Sequence, residues 1–249
     1  MTNYLVFDIE TIPEDFDSLS TSQQEYLLRR ANTEEEIAQR KNEMALSPLT
    51  ARVVCIGMMP VEIKDKNAEN VDDRYDTKSL AYMLDDSIVG DEEFIKSTLN
   101  DGNIAFSMNE KSILEAFWKQ LAKNPSAHLI SFNGRNFDAP FLMLRSAKLG
   151  VRPSRNLMSG TKFNYQLHTD LIDELTFYMP TISGATRRYN FDFFTRAFGI
   201  TSPKSEGVDG SLVNEFFKAG RISEIAEYCL RDVKATWELY LYWEKYLKF

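Results

Sequence analysis

The chain has 249 residues, 43% of them hydrophobic and 27% charged, with a formal net charge of -8 at pH 7. This length and apolar content suffice for one large α/β domain, and we expect a single domain over residues 1–249. With no stretch of roughly 20 apolar residues and no signal-peptide pattern at the start, the sequence predicts a cytoplasmic protein. The negative charge argues against a protein that holds nucleic acid by bulk electrostatics, so any phosphate contact must be local.

The first apolar run, residues 4 to 10, has the β-branched and aromatic content of a buried strand and carries Asp8 and Glu10 at its end. The polar, helix-favouring stretch from about 14 to 47 precedes the next apolar run, ARVVCIGMM, and we interpret it as a helical insertion at the surface. Beyond Met59 the sequence turns acidic, which suggests a hairpin with one strand near LAYML.

Farther along, NEKSILEAFWKQLA has the apolar spacing of a helix packed on a sheet, and HLISFN predicts another buried strand. Asp138 and Pro140 resemble the start of a helix that ends at Gly150, and residues 151 to 167 predict a loop. Short helical patterns follow around 170 to 178, 190 to 198 and 210 to 219. A long helix is predicted from about Ile222 to Leu247.

Asp8 and Glu10 are two residues apart on a strand, so their side chains project to the same face and can share a cation. Such a pair is common by chance, because 37 of the 249 residues are acidic. The apolar strand around it makes unpaired carboxylates costly, so we expect the two acids to be paired, protonated or bound to metal.

Asp138 follows a buried strand, in the pattern N-x-x-x-F-D that begins at Asn133. Acids at the carboxyl end of a sheet lie where open α/β folds place their sites. The alternative is that Asp138 only caps a helix and that Asn133 is only a turn residue beside Gly134.

Tyr228 and Asp232 are separated by four residues on the last predicted helix, so both side chains reach one place. Taken alone, this pair is more often a core tyrosine and an aspartate paired with a basic side chain. A functional role for this pair is supported only when the pair is considered together with the two preceding motifs.

The two cysteines, Cys55 and Cys229, fit a reducing compartment as buried residues, and with His128 and His168 they give no zinc-ligand spacing. Residues 139 to 169 contain no acid but several basic residues, which predicts either a phosphate-facing surface, the interpretation we favour, or an ordinary solvated helix end and loop. These basic residues are Arg145, Lys148, Arg152, Arg155 and Lys162.

Together FDIET, FNGRNFDAPFLMLR and YCLRDV resemble the three motifs of the DEDD 3'→5' exonucleases of the DnaQ-like superfamily, in the tyrosine subtype. Over nearly its full length, including GITSPK and DGSLV, the chain resembles predicted stand-alone exonucleases related to the proofreading domain of B-family DNA polymerases. The resemblance implies an α/β ribonuclease H-like fold with a mixed central sheet flanked by helices.

The resemblance also implies roles for matching residues. Asp8, Glu10 and Asp232 would hold the metal that binds the attacking water, and Asp8 would bridge to a second metal that Asp138 reaches directly or through water. Tyr228 would orient the water. Two Mg²⁺ or Mn²⁺ ions suit such carboxylates.

A frayed 3' end would contact Thr11, Ile12, Asn133 and Phe137, although Ile12 and Phe137 are equally credible as core residues. The expected substrate is single-stranded DNA first and RNA second, with a possible protein partner for processivity. The alternative function is a catalytically inactive nucleic-acid-binding module of the same fold.

Overall fold

An eight-stranded mixed β-sheet forms the centre of the computed structural model, which describes residues 2–90, 93–202, 210 and 212–248, with only the backbone of 71 and 72. The strands of the chain are β1 (Tyr4–Pro13), β2 (Ala51–Ile63), β3 (Tyr75–Thr77), β4 (Leu80–Leu84), β5 (Ile95–Thr98), β6 (Ile104–Met108), β7 (His128–Ser131), β8 (Gly160–Thr161), β9 (Asn164–Tyr165) and β10 (His168–Asp170). Strands β8 and β9 form a separate two-stranded hairpin.

The order across the large sheet is β10-β7-β1-β2-β4-β6-β5, with β3 also paired to β2. The pairs β1–β7, β7–β10 and β4–β6 are parallel, and the pairs β1–β2, β2–β4 and β5–β6 are antiparallel. The two strands β1 and β2 are long and lie at the centre, where apolar side chains on both faces are covered.

The helices are α1 (Thr21–Leu28), α2 (Glu34–Glu43), α3 (Val71–Arg74), α4 (Glu110–Lys123), α5 (Asp138–Lys148), α6 (Leu171–Leu175), α7 (Phe191–Ala197), α8 (Val213–Lys218) and α9 (Ile222–Tyr246). Leu5, Phe7 and Ile9 pack in one buried cluster with side chains of α4 and α5, and the Phe7 ring lies 5.8 Å from that of Phe117. Val6 packs on the other face with Trp237 and other residues of α9. The alternation along β1 therefore separates an apolar face from the face that also carries Asp8 and Glu10.

Most predicted elements are present, but several differ from the prediction. Strand β1 continues to Pro13, the acidic hairpin places both β3 and β4 against β2, and the predicted loop 151 to 167 contains the hairpin of β8 and β9. The short strands β5, β6 and β10 were not predicted. Among the described residues, no helix is both long and apolar enough to span a lipid bilayer.

The segment between β1 and β2 contains α1 and α2, flanked by short 3-10 turns at Phe16–Ser18 and Met44–Leu46. Neither helix buries a side chain, and each begins with a capping box. The division of the chain into a single domain with a helical insertion at 14–47 stays a prediction.

The interpretation of the basic window as a phosphate-facing surface is wrong for three of its five residues. Arg145 is 2% exposed and forms ion pairs with Glu110 and Glu14, each with a shortest N–O distance below 3 Å. Lys148 also pairs with Glu14, and Arg155 donates to two backbone carbonyls. The ion pairs of Arg145 and Lys148 connect α5 with α4 and with Glu14, which directly follows β1. Burial of a guanidinium requires such carboxylate partners.

Candidate active site

Asp8 and Glu10 lie on the face of β1 that α9 covers. Opposite them on β2 are Gly57 and Cys55, and the strand register shifts directly after Glu10, which is the pattern of a β-bulge. A bulge bends its strand and redirects side chains, and bulges are frequent beside active sites. Glu10 is 8% exposed, so its carboxylate has little water around it.

Asp138 is the first residue of α5, and its carboxylate reaches back to β1. The Oδ1 atom accepts a hydrogen bond from the backbone N–H of Ile9 at 3.0 Å. This is possible because β7 pairs with β1 only as far as Val6, so β1 extends beyond the carboxyl end of β7. The helix-capping alternative for Asp138 is wrong, because the N-cap residue is Phe137 and the cap carries no side-chain hydrogen bond.

Tyr228 and Asp232 lie one turn apart on α9, on the side that faces β1. Burial raises the pKa of Tyr228, the charges of Asp232, Glu10 and Asp8 raise it further, and a hydrogen bond with Asp232 adds to the same effect. The tyrosine is 6% exposed. Its hydroxyl therefore stays protonated at any ordinary pH and can donate a hydrogen bond.

Gly57 and Cys229 determine how closely α9 approaches the sheet. A Cβ atom on Gly57 would lie 2.8 Å from Cys229 Sγ and 3.3 Å from the Cys229 carbonyl oxygen. The Cys229 thiol is 3.5 Å from both the backbone oxygen and the Oδ2 atom of Asp8 and can donate to either. Both cysteines are free and buried, as predicted, but Cys229 also belongs to the acidic site.

Burial and mutual repulsion raise the pKa values of three acids of this site. The pKa values of Asp8 and Glu10 are raised first by burial and then by neighbouring charges, chiefly that of Asp138 on Asp8 and that of Asp232 on Glu10. Burial raises the pKa of Asp138 to about 7, although its backbone hydrogen bonds oppose the change. Four carboxylates from three separate segments thus act on one another electrostatically, and a nearby cation would relieve the repulsion.

The donor set fits a divalent cation. One potential ligand atom from each of Asp8, Glu10 and Cys229 lies within 4.8 Å of the other two. Hard cations such as Mg²⁺ prefer carboxylate oxygens, and a protonated thiol that donates to Asp8 is a poor ligand for them. The carboxylates are therefore the expected ligands, while the Cys229 thiol can donate a hydrogen bond to Asp8.

A cleft of about 470 Å³ opens beside Asp8 and Asp138. It is lined by Asp8, Phe132, Asn133, Phe137, Asp138, Ile172, Arg188, Tyr189, Asn190 and Phe191. Two of the four predicted substrate contacts, Asn133 and Phe137, are therefore beside the acids. Ile12 is 3% exposed within the core, which favours the core alternative, and the Thr11 hydroxyl donates to the backbone oxygen of Ala45.

Asp170 is a residue of this site that the sequence analysis did not identify. It is fully buried at the end of β10, and its carboxylate accepts hydrogen bonds from the backbone N–H groups of Asn133, Arg135 and Ile172. Asn133 has a φ of 66°, a left-handed conformation that asparagine tolerates better than most residues. Asp170 therefore holds the loop that leads from β7 to Asp138.

The family model described as a predicted 3'-5' exonuclease related to the exonuclease domain of PolB matches residues 87–247. This range includes Asp138, Tyr228 and Asp232, whereas Asp8 and Glu10 precede it. Of the two stretches that also carried the resemblance, GITSPK and DGSLV, parts fall outside the described residues.

Relatives with curated descriptions are archaeal DNA polymerases. The chain is 26% identical over 146 residues to a DNA polymerase of Pyrococcus glycovorans and 28% identical over 145 residues to one of Desulfurococcus sp. (strain Tok). These alignments cover 53% and 52% of this chain and 18% of each polymerase. The chain therefore matches less than a fifth of the length of these relatives.

A solved structure with the same fold is that of the family B DNA polymerase from Pyrobaculum calidifontis. The TM-score is 0.54 at 17% identity, and the alignment covers 98% of this chain and 25% of the polymerase. The predicted ribonuclease H-like fold, a mixed sheet flanked by helices, is confirmed. The chain belongs to the family of predicted 3'-5' exonucleases related to the exonuclease domain of PolB.

Proposed function

We propose that this protein is a metal-dependent exonuclease that removes nucleotides from the 3' end of single-stranded nucleic acid, with DNA favoured over RNA. The observation that carries the proposal is the convergence of Asp8 and Glu10, on β1, with Asp138 and Asp232, with raised pKa values for Asp8, Glu10 and Asp138. Such a cluster is costly in a folded protein unless cations neutralise it.

In this proposal Asp8, Glu10 and Asp232 hold one divalent cation, and Asp8 and Asp138 hold a second. Mg²⁺ or Mn²⁺ bound there would lower the pKa of a coordinated water and stabilise the charge that develops on the scissile phosphate. The hydrogen bond from the Ile9 backbone N–H to Oδ1 fixes the Asp138 carboxylate next to the strand that carries the other two acids. Asp138 is thus oriented by the backbone of the strand that carries the other two acids.

Tyr228 has a positioning role. Because its pKa is raised well above the usual value for tyrosine, its hydroxyl is not a general base and acts through hydrogen bonds alone. The hydrogen bond with Asp232 fixes the hydroxyl next to the proposed metal ligands. From there Tyr228 would hold the attacking water in line with the phosphorus atom, which is an orientation effect.

The preference for DNA rests on the family and on the archaeal relatives, which are described as DNA polymerases. Phe137 and Asn133 line the cleft beside the acids, where Phe137 would support the terminal base and Asn133 would accept or donate a hydrogen bond. The net charge of -8 limits general electrostatic attraction to nucleic acid. A partner protein would therefore supply processivity. Free, buried cysteines suit the expected cytoplasmic location.

The test is digestion of 5'-labelled single-stranded DNA and RNA of equal sequence in Mg²⁺, Mn²⁺ or EDTA. The proposal predicts a metal-dependent ladder that shortens from the 3' end, faster on DNA than on RNA. The control is the double variant Asp8→Ala/Glu10→Ala, which should give no ladder. Binding of either strand without cleavage in any metal would instead support the inactive binding module.

A further inference from the structure

Residues 188 to 191, which no sequence motif identified, line the cleft beside the acids. Arg188 lines the cleft together with Asp8 and Asp138, and its guanidinium donates a hydrogen bond to Oδ1 of Asn133. Asn133 is itself held through its backbone N–H by the buried carboxylate of Asp170. The arginine is therefore fixed at the mouth of the cleft.

Arg187 and Arg188 have no carboxylate partner within the described ranges, in contrast with Arg145 in the same chain. The side chains of both residues are exposed. In a protein with a net charge of -8, two adjacent uncompensated guanidiniums beside an acidic site form a local positive charge. A phosphate group is the ligand that matches a guanidinium and can also bridge to cations held by the acids.

An aromatic pair lies next to these arginines. The rings of Tyr189 and Phe193 stack with centroids 3.9 Å apart and planes 7° from parallel, and Phe193 is 49% exposed. The Arg187 guanidinium lies 4.8 Å from the centre of the Tyr189 ring. An exposed stacked ring flanked by cations is the arrangement that binds single strands without sequence preference, since every base can stack.

We propose that Arg188 binds a backbone phosphate of the substrate next to the scissile bond and that the Tyr189–Phe193 pair stacks a base of the same strand. The strand then leaves the cleft along residues 187 to 193. This inference rests on the proposed function and names the surface by which the site holds its substrate. This local contact region also explains how a protein with a negative net charge can bind a polyanion.

The experiment measures binding of a 5'-fluorescent single-stranded DNA by anisotropy in EDTA at several salt concentrations. Arg188→Ala should weaken binding about tenfold and reduce the slope of log K against log[salt] by about 0.7, as expected for one lost phosphate contact. Phe193→Ala should weaken binding by roughly 5-fold to 100-fold without changing the slope. The matched control is Arg196→Ala, which removes an exposed arginine already paired with Asp192 and should change affinity less than about twofold.

Unchanged affinity and slope in Arg188→Ala, or an equal loss in Arg196→Ala, would overturn the inference. A lower melting temperature in Arg188→Ala with the slope intact would show a structural role only, which also overturns the inference.

Cleavage is scored separately. Wild-type protein that binds the strand through Arg188 but cleaves none in Mg²⁺ or Mn²⁺ would refute the exonuclease and leave the binding surface standing. Wild-type protein that binds no strand in EDTA and cleaves none in Mg²⁺ or Mn²⁺ would refute both.

Discussion

The carboxylate of Asp138 and the backbone N–H of Ile9 are joined by a 3.0 Å hydrogen bond across 129 residues of sequence. Ile9 lies between Asp8 and Glu10 on β1, so this bond fixes the start of α5 against the strand that carries two other acids. The bond thereby determines the position of the Asp138 carboxylate. The bond gives a direct way to separate the structural role of Asp138 from its proposed catalytic role.

We predict that Asp138→Asn keeps the fold and loses cleavage. The amide oxygen of asparagine still accepts from Ile9, but the negative charge is lost, and loss of a metal ligand should reduce the rate by about 10²-fold or more. Asp138→Ala leaves the Ile9 N–H buried without a partner, at a cost of about 1–3 kcal/mol. Urea unfolding in EDTA measures both variants. An asparagine variant less stable than the alanine variant would contradict this role of the hydrogen bond.

The contribution of the acidic cluster to the stability of the metal-free protein should fall as the pH rises from about 4 to 8. Unfolded carboxyl groups have pKa values near 4, whereas the folded pKa of Asp138 is about 7 and those of Asp8 and Glu10 are also raised. The folded state therefore retains protons that the unfolded state has released, so the contribution of these groups is greatest at low pH and is lost as the pH passes their folded pKa values.

Mg²⁺ or Mn²⁺ binds the deprotonated carboxylates, so the stabilisation that either ion gives should increase over the same pH range. The free energy of unfolding, measured at several pH values with EDTA and with metal, checks both trends. The double variant Asp8→Asn/Asp138→Asn is the control, and the wild-type stability minus that of the variant should fall as the pH rises. A wild-type curve in EDTA that rises from pH 5 to 8 in step with the double variant would contradict the prediction.

Gly57→Ala should disturb the site from a position that holds no functional group. The new methyl would meet Cys229 Sγ at 2.8 Å, and overpacking of this kind costs about 1–3 kcal/mol. Because α9 carries Tyr228 and Asp232, a displaced helix should also reduce cleavage about tenfold. Cys229→Ala removes the closest contact, so the double variant should regain part of the lost stability, with a coupling above about 0.5 kcal/mol. If the stability losses of the two single variants add up in the double variant, the contact between residues 57 and 229 does not determine the position of α9.

Tyr228→Phe should reduce the turnover rate less than any acid substitution. The ring remains buried and the packing is kept, while the hydroxyl proposed to orient the water is lost. For this loss we expect a rate reduction of about 10-fold to 100-fold. Single-turnover rates of Tyr228→Phe and Asp8→Asn at saturating Mn²⁺ provide the comparison. Equal losses in the two variants would mean that the hydroxyl takes part in more than orientation.

The acids could be found from the sequence because their signals are local. The two-residue period of a strand places Asp8 and Glu10 on one face, and the four-residue spacing of a helix places Tyr228 with Asp232. The hydrogen bond of Asp138 could not be predicted in this way. It depends on how far β7 pairs with β1, and this register is a property of the sheet.

Other features of the site can be recognised only in the folded structure. Gly57 matters only because α9 crosses β2 at that residue, and Asp170 lies on a three-residue strand too short to give an apolar pattern. The charge of Arg145 suggested a solvent-facing role, but its burial is determined by Glu110 and Glu14 from two other elements. Sequence periodicity reports which face a side chain occupies and carries no information on its partners.

The proposed metal site can be examined by measuring Mn²⁺ binding by calorimetry and cleavage of a 5'-labelled single strand on the same preparations of wild-type protein and of Asp8→Asn/Glu10→Gln. We predict that the wild type binds Mn²⁺ and shortens the strand from its 3' end, while the variant, folded by circular dichroism, does neither. A wild type that binds no Mn²⁺, or a variant that cleaves as fast as the wild type, would contradict the assignment of these carboxylates.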